Sequence, residues 1–113
     1  MEKKILIVED DPFIAAHLTM LVEDELGYVP LSTPTVEQAW ELIAAGIDGA
    51  LLDVEVGDGN TYPLAQFMLR NDIPVIFVSA SDPDKVPRDI RDTPFLPKPV
   101  HEGRILGAAR KYF

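Results

Sequence analysis

The sequence predicts an α/β protein of the doubly wound, flavodoxin-like kind: a five-stranded parallel sheet in the order 2-1-3-4-5 with helices on both faces. Three observations lead there. Lys4–Val8, Gly49–Val54 and Pro74–Ser79 are apolar at nearly every position, as strands covered on both faces require. Segments of helical spacing alternate with them, which makes the strands parallel and joined by crossovers. The 113 residues suffice for one core, so residues 1–113 are expected to form one domain.

The first strand, Lys4–Val8, stops at Glu9-Asp10-Asp11. Pro12 suits a first helical turn with Asp11 as N-cap, and Ile14, Leu18, Leu21 and Val22 continue at helical spacing to Leu26, with Gly27 as the stop. Tyr28–Ser32 reads as a short second strand. Pro30 within it lacks a ladder N–H, which places that strand at an edge. Thr35-Val36-Glu37-Gln38 has the form of a capping box, opening a helix that puts Val36, Ala39, Trp40 and Ile43 on one face, with Trp40 in the core and Gly46 just beyond the end. The third strand is followed by a Gly- and Asp-containing loop, Glu55–Thr61. A third helix begins near Pro63 and is expected to bury Leu64, Phe67 and Met68.

After the fourth strand, Ala80–Thr93 is interrupted by Pro83 and Pro87, so the fourth helix is expected to be short or irregular. Phe95-Leu96 forms a brief fifth strand. A last helix follows Pro97-Lys98-Pro99 and carries Val100, Ile105, Leu106 and Ala109.

Composition narrows the function. Apolar residues are 47% and charged residues 26%, a globular balance, and no apolar run approaches the length of a membrane span. The four-residue run after Met1-Glu2-Lys3-Lys4 is too short for a signal peptide, so a cytoplasmic protein is expected. The absence of cysteine removes thiol nucleophiles and thiolate metal sites. A formal charge of −9 repels phosphate backbones and anionic headgroups, which argues against direct nucleic-acid or membrane binding.

The strand ends carry the chemistry. Glu9 and Asp10 close strand one, Asp53 closes strand three, Ser79 closes strand four and Lys98 follows strand five, and this topology brings all five to one edge of the sheet. Carboxylates crowded there repel one another unless a cation intervenes. Mg²⁺ suits such an oxygen-donor set, with Asp10 as a direct ligand, Glu9 direct or through water, and the Glu55 backbone carbonyl completing the protein's share beside Asp53. Lys98 adds a fixed positive charge. A carboxylate in this company can attack a phosphoryl group while metal, ammonium and the Ser79 hydroxyl take up charge on the transferring oxygens. Asp53, the central one, is the expected nucleophile.

In order and spacing, ILIVEDD, LLDV, VSAS and FLPKP resemble the receiver (CheY-like) domain of bacterial response regulators over essentially the whole chain. The resemblance implies metal ligands at Glu9 and Asp10, phosphorylation at Asp53, a hydroxyl role for Ser79, a phosphate-binding Lys98, and a cis Lys98-Pro99 bond. It further implies a sensor histidine kinase or phosphotransfer protein as donor and a downstream protein that the sequence does not identify. An output domain is not expected within 113 residues. Two departures stand out. The switch position in the fifth strand is Phe95, without a hydroxyl, so a switch there works by packing. The shortened stretch before Pro94–Pro99 resembles a subgroup of short receivers and alters the usual output surface. Glu55 adds a side-chain carboxylate beside the site and is expected to change the rate of dephosphorylation.

Plainer roles fit the remaining polar residues: Asp11 caps a helix, His17 and His101 lie at the surface or cap, and Asp82, Asp84, Asp89 and Asp92 form a solvated loop. Two other functions share the same groups. A Mg²⁺-dependent phosphohydrolase with an aspartyl-phosphate would need a substrate pocket and an Asp-x-Asp motif, and position 12 is Pro12. A flavodoxin-like interaction module that is never phosphorylated is the other alternative, and no Gly-rich phosphate loop follows strand one to support a nucleotide- or flavin-binding version of it.

Overall fold

The computed structural model describes residues 2–113. A five-stranded parallel sheet has the order β2-β1-β3-β6-β7, where β1 is Lys4–Val8, β2 Val29–Thr33, β3 Gly49–Leu52, β6 Val75–Ser79 and β7 Phe95–Pro97. This is the expected order, with the Pro30 strand at one edge. Helices α2 (Val36–Ala45) and α3 (Tyr62–Arg70) cover one face, and α1 (Pro12–Met20) and α4 (Glu102–Tyr112) cover the other.

The strand period of two divides the core. Leu6, Val8, Ala50, Leu52, Val75 and Phe77 face α2 and α3, while Ile5, Ile7, Leu51, Ile76 and Val78 face α1 and α4. Apolar residues on both sides of one strand explain why the runs show no polar alternation.

Local chemistry sets the helix ends. Asp11 caps α1, its Oδ1 accepting from the N–H groups of Phe13 at 2.9 Å and Ile14 at 3.3 Å. The helix expected to run to Leu26 does so, but it widens into a π-helical turn at Leu21–Glu25. Leu26 N–H reaches the Leu21 carbonyl, and this widening keeps Leu21 and Val22 in the core. Gly27, at φ 70°, then reverses the chain as Tyr28 N–H bonds back to the Val22 carbonyl.

Only half of the capping box at α2 forms. Thr35 Oγ1 accepts from Gln38 N–H at 3.2 Å, but the Gln38 side chain accepts from Thr33 Oγ1, which in turn accepts from Thr35 N–H. The remaining free N–H groups of that helix are bound from elsewhere, as described below.

Four expectations need correction, on the third strand, the loop after it, Trp40 and Phe67, while the irregular fourth helix is as expected. The third strand ends at Leu52 because Val54 N–H turns to the Ser79 hydroxyl instead of continuing the ladder. Within Glu55–Thr61 lies a small hairpin, β4 (Glu55–Val56) with β5 (Gly59–Asn60). Trp40 is 37% exposed and Phe67 44% exposed, so neither belongs to the core. Ala39 and Ile43 turn the buried face of α2 to the sheet, leaving Trp40 at its margin. The irregular fourth helix appears as two 3₁₀ turns, Pro83–Lys85 and Arg88–Ile90, held to the core by Val86 and Ile90. Among the described residues no helix is long and apolar enough to cross a membrane.

Candidate functional site

Parallel strands deliver their carboxyl ends to one edge, and there the sequence-distant residues meet. Asp53 follows β3, and its N–H bonds to the Val8 carbonyl at 2.9 Å, which sets it beside the end of β1. Its Oδ1 accepts from Ser79 Oγ at 2.7 Å and its Oδ2 from Lys98 Nζ at 3.0 Å. The carboxylate side chain is 12% exposed and lines an open cavity of about 420 Å³ with Glu55, Ser79, Ser81, Lys85 and Lys98.

Ser79 is fully buried and serves as a hub. Besides donating to Asp53, its oxygen accepts from Val54 N–H at 3.3 Å and Ser81 N–H at 3.2 Å. It therefore satisfies backbone groups and aims a hydroxyl at Asp53 together. Lys98 reaches in from the loop after β7, where Lys98 N–H bonds to the Ser79 carbonyl at 2.9 Å and the Lys98-Pro99 peptide is cis. Its ammonium bridges Asp53 and Glu9, at 2.5 Å from Glu9 Oε1.

Glu9 is the most enclosed acid, its side chain 1% exposed against 16% for Lys98. Burial pushes its carboxyl above the ordinary value, and the hydrogen bond from Lys98 and that from Asp11 N–H only partly offset this. Burial alone would lower Lys98; hydrogen bonds to Glu9 and Asp53 outweigh it and hold the ammonium above its usual value. Two carboxylate acceptors at bonding distance fix the charge of Lys98. Lys98 thus stays charged between the two carboxyls, and Glu9 is the one whose charged form burial opposes.

Carboxylate oxygens of Glu9, Asp10 and Asp53 lie within 4.8 Å of one another. Asp10 is exposed and Asp11 is committed to its cap. Three hard oxygen donors on one rim fit a small divalent cation, with room on the open side for water. Glu55 is exposed at the cavity wall, and Phe95 is half-buried one strand away, packed against Phe77 with ring centroids 5.9 Å apart and planes tilted by 42°.

Two residues near the site were not foreseen. Thr61, fully buried at the start of α3, donates its hydroxyl to the Asp53 carbonyl at 2.7 Å. Asp58, at the hairpin tip, accepts from Val36 N–H at 2.8 Å and Glu37 N–H at 3.1 Å, capping α2 from a distant loop. Thr61 could have been suspected from its place just before Tyr62-Pro63, a helix start; Asp58 gave no signal, since its partners are 22 and 21 residues away. His17 lies at the surface, 3.2 Å from Glu102, and His101 precedes α4 without capping it.

The five-stranded order with this set of residues at its carboxyl edge places the chain in the class of two-component signalling receivers. The chain belongs to the response regulator receiver domain family, whose model matches residues 5–110. Phosphorylation and magnesium binding are typical of that family. The search of curated proteins returned no match. Among solved structures, the chain is similar to SdrG from Sphingomonas melonis Fr1, with 35% identity over 96% of this chain and 94% of that one, at a TM-score of 0.79. It is also similar to the non-phosphorylated HemR receiver domain of Leptospira biflexa, with 26% identity, 98% and 94% coverage and a TM-score of 0.83. The PhyR response regulator REC domain of Erythrobacter litoralis gives 26% identity, 98% and 89% coverage and a TM-score of 0.80.

Proposed function

We propose that the chain is a two-component receiver that accepts a phosphoryl group on Asp53 from a histidine of a sensor kinase or phosphotransfer protein and thereby changes its binding to another protein. The observation that carries this is the setting of Asp53: one oxygen held by Ser79, the other by Lys98, and an open cavity in front of both. An Asp53 carboxylate oxygen attacks phosphorus, the phosphorus–nitrogen bond to the donor imidazole breaks, and the imidazole takes up a proton as it leaves. Ser79 and Lys98 then turn from the carboxylate to the new phosphoryl oxygens.

Glu9, Asp10, Asp53 and the Glu55 backbone carbonyl would hold Mg²⁺, which neutralises charge on the transferring oxygens. Lys98, which bonds both Glu9 and Asp53, would then share with that ion the task of neutralising the acids. Phe95, with no hydroxyl to move, transmits the change by repacking against Phe77.

Incubation with a small phosphodonor and Mg²⁺ should add one phosphoryl group per chain, measured by intact mass, and none in Asp53→Ala. A wild-type chain that gains nothing, or a variant that gains equally, overturns the proposal.

A further inference from the structure

Two large aromatic side chains are left at the surface on neighbouring helices. Trp40 on α2 and Phe67 on α3 stand edge to face, ring centroids 5.6 Å apart, and are 37% and 44% exposed. Nothing about the fold requires them, because Ala39, Ile43, Leu64, Ala65 and Met68 already seal these helices to the sheet. Half-exposed aromatic pairs of this kind offer apolar area and a rigid edge at small entropic cost to a partner that covers them.

The charge around the pair selects the partner. Glu37 and Glu41 are exposed on α2, which has no cation, one turn before Trp40 and directly after it. The one cation on α3, Arg70, is 3.9 Å from Asp89 and so already faced by an acid. Two exposed glutamates beside Trp40, with the α3 cation Arg70 faced by Asp89, favour a cationic partner over an anionic membrane or a second copy of the same face.

This face is also tied to the loop that leaves Asp53. Asp58 caps α2 at Val36 and Glu37, and Thr61 at the head of α3 bonds the Asp53 carbonyl. The loop after Asp53 therefore caps the start of α2 and leads directly into α3.

We infer that the α2–α3 face is a docking surface for the apolar side of a cationic amphipathic helix of a partner protein, anchored on Trp40 and Phe67 and flanked by Glu37 and Glu41. The inference does not depend on phosphorylation of Asp53. Trp40 is the chain's one tryptophan, so its emission reports this face directly.

The probe is a tryptophan-free Leu/Lys amphipathic helical peptide, with a Leu/Glu peptide of equal length beside it. The Leu/Lys peptide should shift Trp40 emission to the blue and saturate. Binding should weaken at least tenfold in Glu37→Lys/Glu41→Lys and in Phe67→Ser, and stay unchanged in Glu23→Lys/Glu25→Lys, which alters the same net charge on the opposite side of the sheet. Equal weakening in that control pair, equal binding of the Leu/Glu peptide, or an unsaturable response overturns the inference. So does self-association in sedimentation that Phe67→Ser abolishes, which would make a second copy the occupant.

Discussion

Lys98 bonds two acids, and one of them has almost no contact with water. Stripping a partner from a buried ion pair leaves the other charge uncompensated, which costs more than the pair itself contributes. Without divalent metal, Lys98→Met should therefore destabilise the fold by about 3 kcal/mol, the low end for such losses because Lys98 keeps some solvent contact. Adding Glu9→Gln should recover most of it. Denaturant unfolding in a chelator checks this, and a double variant as unstable as the single one contradicts it. A second residue-scale prediction concerns Glu55, exposed at the cavity wall. Its carboxylate meets any water approaching an Asp53 phosphoryl group, so Glu55→Ala should change the half-life of phosphorylated protein, followed by loss of the mass increment. Equal half-lives would remove Glu55 from that role. Glu9, Asp53, Ser79 and Lys98 were legible in the sequence because each ends a strand or directly follows one, and parallel topology sends all such ends to one edge. Trp40 was not. Val36, Ala39, Trp40 and Ile43 span an arc wider than the sheet covers, and spacing alone cannot say which margin stays wet.

At the scale of elements, the hairpin, the π turn and the Asp58 cap were all invisible in the sequence. Each results from a choice of hydrogen-bond partner rather than from apolar periodicity, and the two-residue strands Glu55–Val56 and Gly59–Asn60 are too short to show a period. The broken crossover was legible because Pro83 and Pro87 each bar a continuous helix. Asp58 gives this scale its own test. Hydrogen bonds from Val36 and Glu37 hold its carboxyl below the ordinary 3.8. A carboxyl lowered in the folded state adds stability that is fully present above its unfolded value and is lost as pH falls through the lower folded value. Asp58→Ala should therefore lower the thermal midpoint at pH 6, and the gap to wild type should close as pH drops below about 4. A gap that is constant across that range would mean the carboxylate does not cap α2.

For the whole molecule, the doubly wound order was the simplest assignment for alternating strands and helices, and the unbroken apolar runs and the place of Pro30 agreed with it. Both faces of the central strands are buried, which fixes them inside, and an imino acid fixes β2 outside. An imino acid also lies in the strand at the far border of the sheet. Val29 N–H points inward to the Lys3 carbonyl, so the nitrogen of Pro30 faces the open margin; Lys98 N–H points inward to Ser79, so the nitrogen of Pro97 faces the opposite open margin. Each border of the sheet thus lacks a donor where a foreign strand would seek one, and each carries a ring that obstructs its approach. The protein is guarded at both ends against growing into a polymer of itself. Pro30→Thr should leave the circular dichroism spectrum unchanged but raise light scattering sooner during incubation just below the thermal midpoint. Where a parallel sheet would otherwise offer two open borders to a second copy, those two prolines oppose adhesion of the domain to its own kind.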